Sequence, residues 1–215
     1  MTHLLIIPDG MRRYARAKGI GLARSYEHAA VKLAKLSGEI LRNPHFAELT
    51  LFLAAPSDFE RDMDARGAMR AGADLFFDRL PDYIGRDVAM CLIGEWASFA
   101  TFAPQAFKNA VALARKNDDR RKKRLNILAF YDYYTACPLD ESLETWRPFC
   151  EPIDLVLRFA QPQGLICGSA LFPMSEHAFW HGVPDVFPAM PVSDIGAVAT
   201  RLLARAGRVT IEAAA

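Results

Sequence analysis

The sequence predicts an α/β protein built on a mainly parallel, doubly wound sheet flanked by helices. Short apolar runs of strand length alternate with longer stretches of helical spacing along most of the chain. This alternation is typical of βαβ units, in which parallel strands are joined by helices that cover the sheet. Because the 215 residues contain no repeat, linker or low-complexity tract, we expect a single domain over residues 1–215.

The first predicted strand is the apolar run Leu4–Ile7, which suits a strand that is buried on both faces. Pro8 ends this strand, Asp9 is a suitable helix N-cap, and Gly10 allows a sharp turn. The following helix is predicted to continue to Gly19. Ligands of open α/β sheets bind at the carboxyl ends of the strands, so this turn is a candidate ligand site.

The remaining elements follow from the same patterns. Further strands are predicted at Glu48–Ala55, Val88–Ile93, Leu125–Phe130 and Asp154–Phe159. Helices are predicted at Ser25–Arg42, from about Phe59 to Tyr83, after Gly94 to about Arg115, near Glu141–Phe149, and at Ser193–Arg205. In a parallel sheet the strand ends share one edge, where we expect Asp9, the loop 55–61, Gly94 and Arg158 to converge.

The charges after the first strand have an unusual sign for a helix start. A helix N-terminus carries a partial positive charge, so Arg12 and Arg13 in its first turn cost about 0.3–1 kcal/mol each. A bound phosphate or diphosphate would explain them, and Asp9 could then hold Mg²⁺ against that diphosphate. A solvated pair of arginines beside an N-cap is the ordinary alternative, and the pattern alone leaves both open.

Composition excludes several classes of function. The net charge of +1 argues against broad electrostatic binding to nucleic acid, and no apolar run has the length of an integral membrane segment. The four cysteines show neither metal-ligand spacing nor a disulfide framework, and the N-terminus lacks the order of a signal peptide, so a cytoplasmic protein is predicted. The 14 phenylalanines suit an apolar ligand cavity and, equally, a thick core.

The N-terminal residues also resemble a known family. The pattern is His3-x-x-Ile6-Ile7-x-Asp9-Gly10-x-x-Arg13-Tyr14-Ala15-x-x-x-Gly19, which resembles the opening motif of the cis-prenyltransferases, the undecaprenyl diphosphate synthase family. The variant at residues 8–13 is closer to the cyclolavandulyl branch, which joins short allylic diphosphates head to middle. The resemblance implies the cis-prenyltransferase fold, Mg²⁺ as cofactor and a homodimer. It also implies that the substrate contacts Gly10, Met11, Arg12, Arg13, Tyr14 and Tyr26, and that Asp9 is both catalytic residue and metal ligand.

Matches to the family continue along the chain. Asp58-Phe59-x-Arg61 resembles its second motif, and Ile153–Arg158 resembles the strand that ends in an arginine of the homoallylic diphosphate site. Shorter matches are Ile93-Gly94-Glu95, Asn126-Ile127-x-Ala129 and Val186-Phe187-Pro188. The resemblance therefore implies that Asp58, Phe59, Arg61 and Arg158 bind substrate.

The departures from the family pattern affect positions that bind diphosphate or metal. Leu22 and Tyr26 replace an arginine and a histidine, as in the cyclolavandulyl branch. The second arginine of the homoallylic site is replaced by Gly164 or Cys167, although Ser169 could be the serine of that motif. The usual glutamate metal ligand falls near His177 or Phe179; Glu176 could substitute, and His177 with His181 could form a metal pair.

Together these features predict a prenyl diphosphate synthase that condenses short allylic diphosphates such as dimethylallyl or geranyl diphosphate. Coupling would be irregular and head to middle, with possible cyclisation. Arg12 and Arg13 would hold the first diphosphate, and Arg158 with Arg61 the second. The cavity would be lined by aromatic residues, namely Tyr14, Phe52, Phe59, Phe76 and Phe77. Two alternatives stay open: a single-substrate terpene synthase or cyclase on the same fold, and a noncatalytic partner subunit.

Overall fold

The computed structural model describes residues 2–115, 123–130, 152–161 and 177–209. Six strands form one sheet, and every pair of neighbours is parallel. The strands are β1 Thr2–Ile7, β2 Phe46–Ala54, β3 Val88–Gly94, β4 Lys123–Ala129, β5 Leu155–Phe159 and β6 Phe179–Val183. Their order across the sheet is β3-β4-β2-β1-β5-β6. The predicted fold class, a parallel sheet flanked by helices, is confirmed.

Strand β1 lies at the centre of this order, and all six of its residues are buried. It pairs with β2 on one side and with β5 on the other. Strands β2, β3 and β4 therefore lie to one side of β1, and β5 and β6 lie to the other. A sheet that reverses its direction of winding in this way leaves a crevice at the carboxyl ends of the diverging strands, which is the usual ligand position.

Six helices are described: α1 Met11–Lys18, α2 Leu22–Arg42, α3 Met63–Arg79, α4 Trp96–Phe102, α5 Pro104–Ala114 and α6 Val192–Arg205. Buried side chains of α2 to α6 pack on the sheet face that carries Leu4, Leu51 and Leu157, and form the main core. A second cluster on the opposite face includes Leu5, Phe52 and Val156. Helices α2 and α3 pack closely, since a methyl group added at Gly72 would lie 3.2 Å from the Cβ of Tyr26.

Several predicted boundaries are corrected. The single helix expected from Phe59 to Tyr83 is a 3-10 helix at Pro56–Glu60, then α3, then a 3-10 helix at Leu80–Asp82. Asp62 causes the first break, because its Oδ1 accepts a hydrogen bond from Ala65 N at 2.7 Å and caps α3. The helix expected after Gly94 is divided into α4 and α5 at Pro104, which begins a helix more readily than it continues one.

The start of α1 also differs from the expectation. Its N-cap is Gly10 and not Asp9, and no side chain forms a cap hydrogen bond there. Gly10 has φ 103°, a left-handed conformation that favours glycine. The turn is therefore made by the glycine backbone, and the Asp9 carboxylate does not serve as a helix cap.

The strand β6 was not predicted. It places His181 opposite Leu157 of β5 in an extended segment, so His177 and His181 do not share the face of a helix. Within the described segments, no group of three or more His, Cys, Asp or Glu residues is placed to hold a metal ion. The predicted helix near residues 141–149 lies outside the described residues. Among the helices that are described, none is both long and apolar enough to cross a membrane.

Candidate active site

A pocket opens at the crevice beside the end of β1 and has a volume of about 380 Å³. This volume lies within the range of about 300–1,000 Å³ that is usual for small-molecule sites. The pocket is formed by the end of β1, the start of α1, the loop after β2 and the last residues of β5. Its polar lining consists of Asp9, Arg12, Arg13, Tyr26, Ser57, Asp58, Arg61 and Arg158.

The turn between β1 and α1 fixes Asp9 at this pocket. Asp9 Oδ1 accepts a hydrogen bond from Gly10 N at 2.5 Å, and Asp9 O accepts one from Phe187 N at 2.9 Å. A side chain at Gly10 would not fit, because a Cβ there would lie 2.6 Å from the Cβ of Val186. Apart from the bond to Gly10, the Asp9 carboxylate forms no hydrogen bond or ion pair with a described residue. It is therefore held in place and still able to bind a ligand.

The two arginines of the first turn have different local contacts. Arg13 Nη2 donates a hydrogen bond to the carbonyl of Ala160 at 2.7 Å and so ties α1 to the residue after β5. Arg12 is exposed and forms no hydrogen bond or ion pair with any residue that the structure describes. The first turn of α1 also contains no acidic residue. Arg12 and the unpaired amides of the helix start are therefore available to an anion.

The loop after β2 adds a buried ion pair to the pocket. Asp58 is buried, with Oδ2 accepting a hydrogen bond from Ala55 N at 2.8 Å and Oδ1 lying 2.5 Å from Arg61 Nε. These two contacts compensate the burial of its charge. They also hold the Arg61 guanidinium against the pocket, where its charge is partly offset by Asp58.

Arg158 comes from the other side of β1. It pairs in register with Ile7, the last residue of β1, so the sheet itself sets its position beside Asp9. Four arginines and two aspartates line the pocket, which leaves two positive charges in excess. Guanidinium groups converging on one pocket bind phosphate oxygens by charge-assisted hydrogen bonds. The electrostatics of the site therefore favour a diphosphate.

An apolar cavity of about 70 Å³ adjoins the cationic pocket. The two share Pro8, Met11, Tyr26, Leu53 and Met69 in their linings. Most of the cavity wall is apolar side chains of α2 and α3, closed by Phe99 and Phe102 of α4 and by Phe187. A molecule with an anionic head and a short apolar tail can therefore occupy both spaces at once.

Tyr26 lies where the two spaces meet. Burial raises the pKa of its phenol above the ordinary value of 10.0, and the Asp58 and Asp9 carboxylates act in the same direction. The positive charges of Arg61 and Arg12 oppose this shift. The phenol is therefore neutral near pH 7, and its O–H can donate a hydrogen bond into the pocket.

The structure brings most of the predicted site residues together. The residues of that prediction that line the pocket are Asp9, Gly10, Met11, Arg12, Arg13, Tyr26, Asp58, Arg61 and Arg158. Tyr14 instead packs its ring edge-to-face on His28 of α2, with centroids 6.1 Å apart. Ser169 and the side chain of Phe59 lie outside the described residues, as do Gly164, Cys167 and Glu176.

The aromatic lining differs in part from the expectation. Phe76 lines the apolar cavity, and Phe52 lines the cationic pocket. Phe77 is buried in the core, where its ring packs on Phe76 at 4.9 Å and on Phe99 at 6.1 Å.

Sequence reasoning missed Ser57, Met69, Phe99, Phe102 and Phe187. A signal for Met69 was present, because Met69, Gly72, Ala73 and Phe76 follow the i, i+3, i+4, i+7 spacing of one helix face. The same spacing occurs on α2, where Tyr26, Ala29, Ala30 and Leu33 form the wall of the apolar cavity that faces α3.

Comparison with solved structures identifies this architecture. A lavandulyl diphosphate synthase from Lavandula x intermedia, solved in complex with dimethylallyl diphosphate, superposes with a TM-score of 0.72 at 15% identity, covering 99% of this chain and 97% of that one. A probable undecaprenyl diphosphate synthase from Campylobacter jejuni gives a TM-score of 0.63 at 15% identity, with the same coverage of both chains. No family model and no curated protein sequence matches the chain.

These likenesses define the class of fold to which the chain belongs. It is a parallel α/β protein with a ligand crevice at the switch point of its sheet, and its fold is that of the cis-prenyltransferases. The resemblance predicted from the N-terminal motif is thus confirmed for the fold.

Proposed function

We propose that this protein is a prenyl diphosphate synthase that couples short allylic diphosphates, such as dimethylallyl or geranyl diphosphate, in an irregular, head-to-middle manner. The observation that carries the proposal is the continuity of the cationic pocket with the apolar cavity, which share five lining residues. An allylic diphosphate has the matching division into a charged head and an apolar tail. The fold shared with two prenyl diphosphate synthases supports the same conclusion.

The residues around Asp9 fit Mg²⁺ bound together with substrate. Mg²⁺ is commonly held by one or two carboxylates and by the phosphates of a substrate, without a complete cage of protein ligands. The Asp9 carboxylate uses one oxygen to accept from Gly10 N and faces a pocket that can hold a diphosphate. When bound there, Mg²⁺ would stabilise the negative charge that develops on the leaving diphosphate.

In this mechanism Arg12, Arg13 and the start of α1 bind the first diphosphate. The bond between the allylic carbon and the diphosphate oxygen breaks, and the diphosphate leaves with the electron pair. The double bond of a second prenyl group then attacks the allylic cation, and the product loses a proton to solvent or to the released diphosphate. Arg158 and Arg61 bind the second diphosphate. Guanidinium groups fixed before the reaction stabilise the developing charge without rearranging.

The size of the apolar cavity favours short substrates. A water molecule needs roughly 10–15 Å³ of such space, so about 70 Å³ holds on the order of five to seven groups of that size. This matches the five carbons of a dimethylallyl group more closely than a long polyprenyl chain. We therefore propose products of about ten to fifteen carbons, in line with the short cavity.

The direct test is incubation of the protein with Mg²⁺ and dimethylallyl, geranyl and farnesyl diphosphates, singly and in pairs, with product identification by mass spectrometry. A branched or cyclic prenyl diphosphate of ten to fifteen carbons is expected. An Asp9→Ala variant is the matched control and should give at least about 100-fold less product. Products of forty or more carbons, or no turnover of any substrate, would contradict the proposal.

A single-substrate terpene synthase is the second candidate, and one observation favours it. Arg13 and Arg61 are engaged within the protein, since Arg13 donates to Ala160 O and Arg61 pairs with Asp58. This reduces the positive charge that is available for a second diphosphate, which a single-substrate enzyme does not need. This candidate would be selected if one prenyl diphosphate gave a diphosphate-free terpene at the same rate with or without a second prenyl diphosphate.

The presence of the complete Asp9–Arg13 motif speaks against a noncatalytic subunit, because such subunits tend to lose it. A homodimer and a cytoplasmic location stay predictions from the sequence and from the family resemblance.

A further inference from the structure

Lys32 of α2 has an arrangement that a surface lysine does not need. Its Nζ donates hydrogen bonds to the carbonyls of Pro188 and Met190, both at 2.6 Å, and to Phe187 O at 3.3 Å. These three bonds use all three donors of the ammonium group. The same Nζ lies 5.8 Å from the centroid of the Phe187 ring. No carboxylate of a described residue lies within ion-pair distance of Lys32.

Among the described residues, the charge is therefore stabilised by backbone carbonyls and the Phe187 ring without a carboxylate, at a half-buried position. Burial lowers the pKa of the Lys32 amine from its ordinary value, because desolvation disfavours the charged form. An apolar residue would avoid this cost if packing were all that the position required. The specific result of having an ammonium group here is that three carbonyls of one short segment are held in place.

That segment, residues 186–190, contacts the site from two directions. Its Phe187 N–H donates to Asp9 O at 2.9 Å, and Val186 lies so close to Gly10 that a Cβ there would be 2.6 Å away. The Phe187 ring also forms part of the wall of the apolar cavity. A displacement of the segment would therefore move the Asp9 backbone and the cavity wall together.

We infer that Lys32 is a positioning residue of the active site, which fixes the 186–190 segment and through it the Asp9 carboxylate. The inference rests on the proposed function of the Asp9 pocket. Helix α2 then supports the site at two further points, since Tyr26 lines the pocket and Ser25 Oγ donates to Met11 O at 2.8 Å. Because a misplacement of about 1 Å can cost roughly 100-fold in rate, a contact outside the pocket can control turnover.

The test compares Lys32→Met, which keeps the length of the side chain and removes its charge, with Lys32→Arg, which keeps the charge. Lys35→Met is the matched control, because Lys35 lies on the same helix with a side chain that is 54% exposed and only a 3.8 Å contact to Glu39. Amide hydrogen exchange of residues 7–13 and 183–191 reports local order. Two further assays monitor the function of the Asp9 pocket. They are turnover of dimethylallyl diphosphate and binding of inorganic diphosphate with Mg²⁺.

In Lys32→Met we expect exchange at the Phe187 amide to rise at least tenfold, binding of inorganic diphosphate with Mg²⁺ to weaken about tenfold, and kcat to fall roughly 10- to 100-fold. Lys32→Arg should recover most of kcat, and Lys35→Met should match the wild type in every measurement. If Lys32→Met does not fold, Lys32→Gln takes its place with the same expectations.

Two results would overturn the inference: wild-type exchange at Phe187 in the Met variant, or faster exchange with unchanged kcat. If the wild type turns over no prenyl diphosphate, the proposed function fails and diphosphate binding decides the inference. Binding about tenfold weaker in Lys32→Met than in Lys35→Met would support it, and equal binding would overturn it.

Discussion

Arg61 Nε lies 2.5 Å from Asp58 Oδ1, and the second oxygen of the same carboxylate accepts the Ala55 amide. One buried carboxylate thus shapes the loop after β2 and holds an arginine at the pocket. The position of Arg61 is therefore set by the loop and does not depend on bound substrate.

We expect Asp58→Ala to lower the free energy of unfolding by about 1–3 kcal/mol, because the Ala55 amide and the Arg61 guanidinium both lose their acceptor. Substrate affinity should also fall, since Arg61 is no longer held at the pocket. Urea denaturation and the KM for each substrate are the measurements. Glu60→Ala, at an exposed position of the same loop, is the control and should change stability by less than about 0.5 kcal/mol. Equal stability of the two variants would show that the loop does not depend on Asp58.

Asp9→Ala should reduce turnover by at least about 100-fold and leave the protein folded. The Asp9 carboxylate forms one local hydrogen bond, to Gly10 N, whose loss costs about 0.5–1.5 kcal/mol of stability. Asp9→Asn keeps an acceptor for that amide and removes only the charge. It should therefore be as inactive as Asp9→Ala and more stable than Asp9→Ala. Asp185→Ala removes an exposed carboxylate and is the control. Turnover near the wild-type rate in a well-folded Asp9→Asn variant would exclude a metal-binding role.

Arg158→Ala separates condensation of two substrates from cyclisation of one. A charge-assisted hydrogen bond contributes about 1.5–3 kcal/mol, so we expect the KM of the second substrate to rise roughly 10- to 100-fold. The KM of the first substrate should change much less, because Arg12 and Arg13 bind it. The kinetics are measured with one substrate saturating and the other varied, and Arg201→Ala on α6 serves as a surface control. If the wild type converts one prenyl diphosphate alone and the variant raises the KM for that substrate, Arg158 binds the single leaving group of a terpene synthase.

Tyr26→Phe should change the pH dependence of stability above pH 10. Burial raises the pKa of Tyr26 in the folded protein above 10.0, whereas the unfolded chain ionises near that value. Between the two pKa values the unfolded state binds fewer protons, so the stability that Tyr26 contributes falls as the pH rises above 10.0. The unfolding free energies of wild type and variant, compared at pH 8 and at about pH 10.5, give this contribution directly. The pKa shifts of Cys91, Lys32 and Lys123 are present in wild type and variant alike, so their contributions cancel in that comparison. A difference that does not vary with pH would contradict the raised pKa.

The sequence was sufficient to predict the convergence of Asp9, Asp58, Arg61 and Arg158. Asp9, Asp58 and Arg61 follow clear apolar strands, Arg158 lies near the end of another, and parallel strands place their carboxyl ends at one edge. The strand β6 could not be recognised in the same way. It is a five-residue segment at the edge of the sheet, its sequence Phe-Trp-His-Gly-Val lacks a continuous apolar run, and its burial is incomplete.

The role of Phe187 was also beyond sequence reasoning. Its contact with Asp9 joins residues 178 positions apart, and nothing in the local pattern around either residue specifies their pairing.

Breaks within long helical patterns are another limit. The stretch after Phe59 has helical spacing, and only the capping geometry of Asp62 shows where α3 begins. Local periodicity gave the elements, whereas capping and long-range backbone contacts determine their ends.

The close packing of α2 on α3 has a consequence for how substrate range can evolve. The cavity walls carry small residues at Ala29, Ala30, Gly72 and Ala73, where one substitution by a larger residue would shorten the space. Lengthening it instead requires changes at the buried aromatic residues Phe76 and Phe99, each of which also stabilises the core. Removing such a ring costs about 3–5 kcal/mol, a large share of the stability of a small protein. Under the proposed function, mutation can thus restrict this protein to smaller substrates in single steps, whereas a gain in chain length needs compensating changes elsewhere.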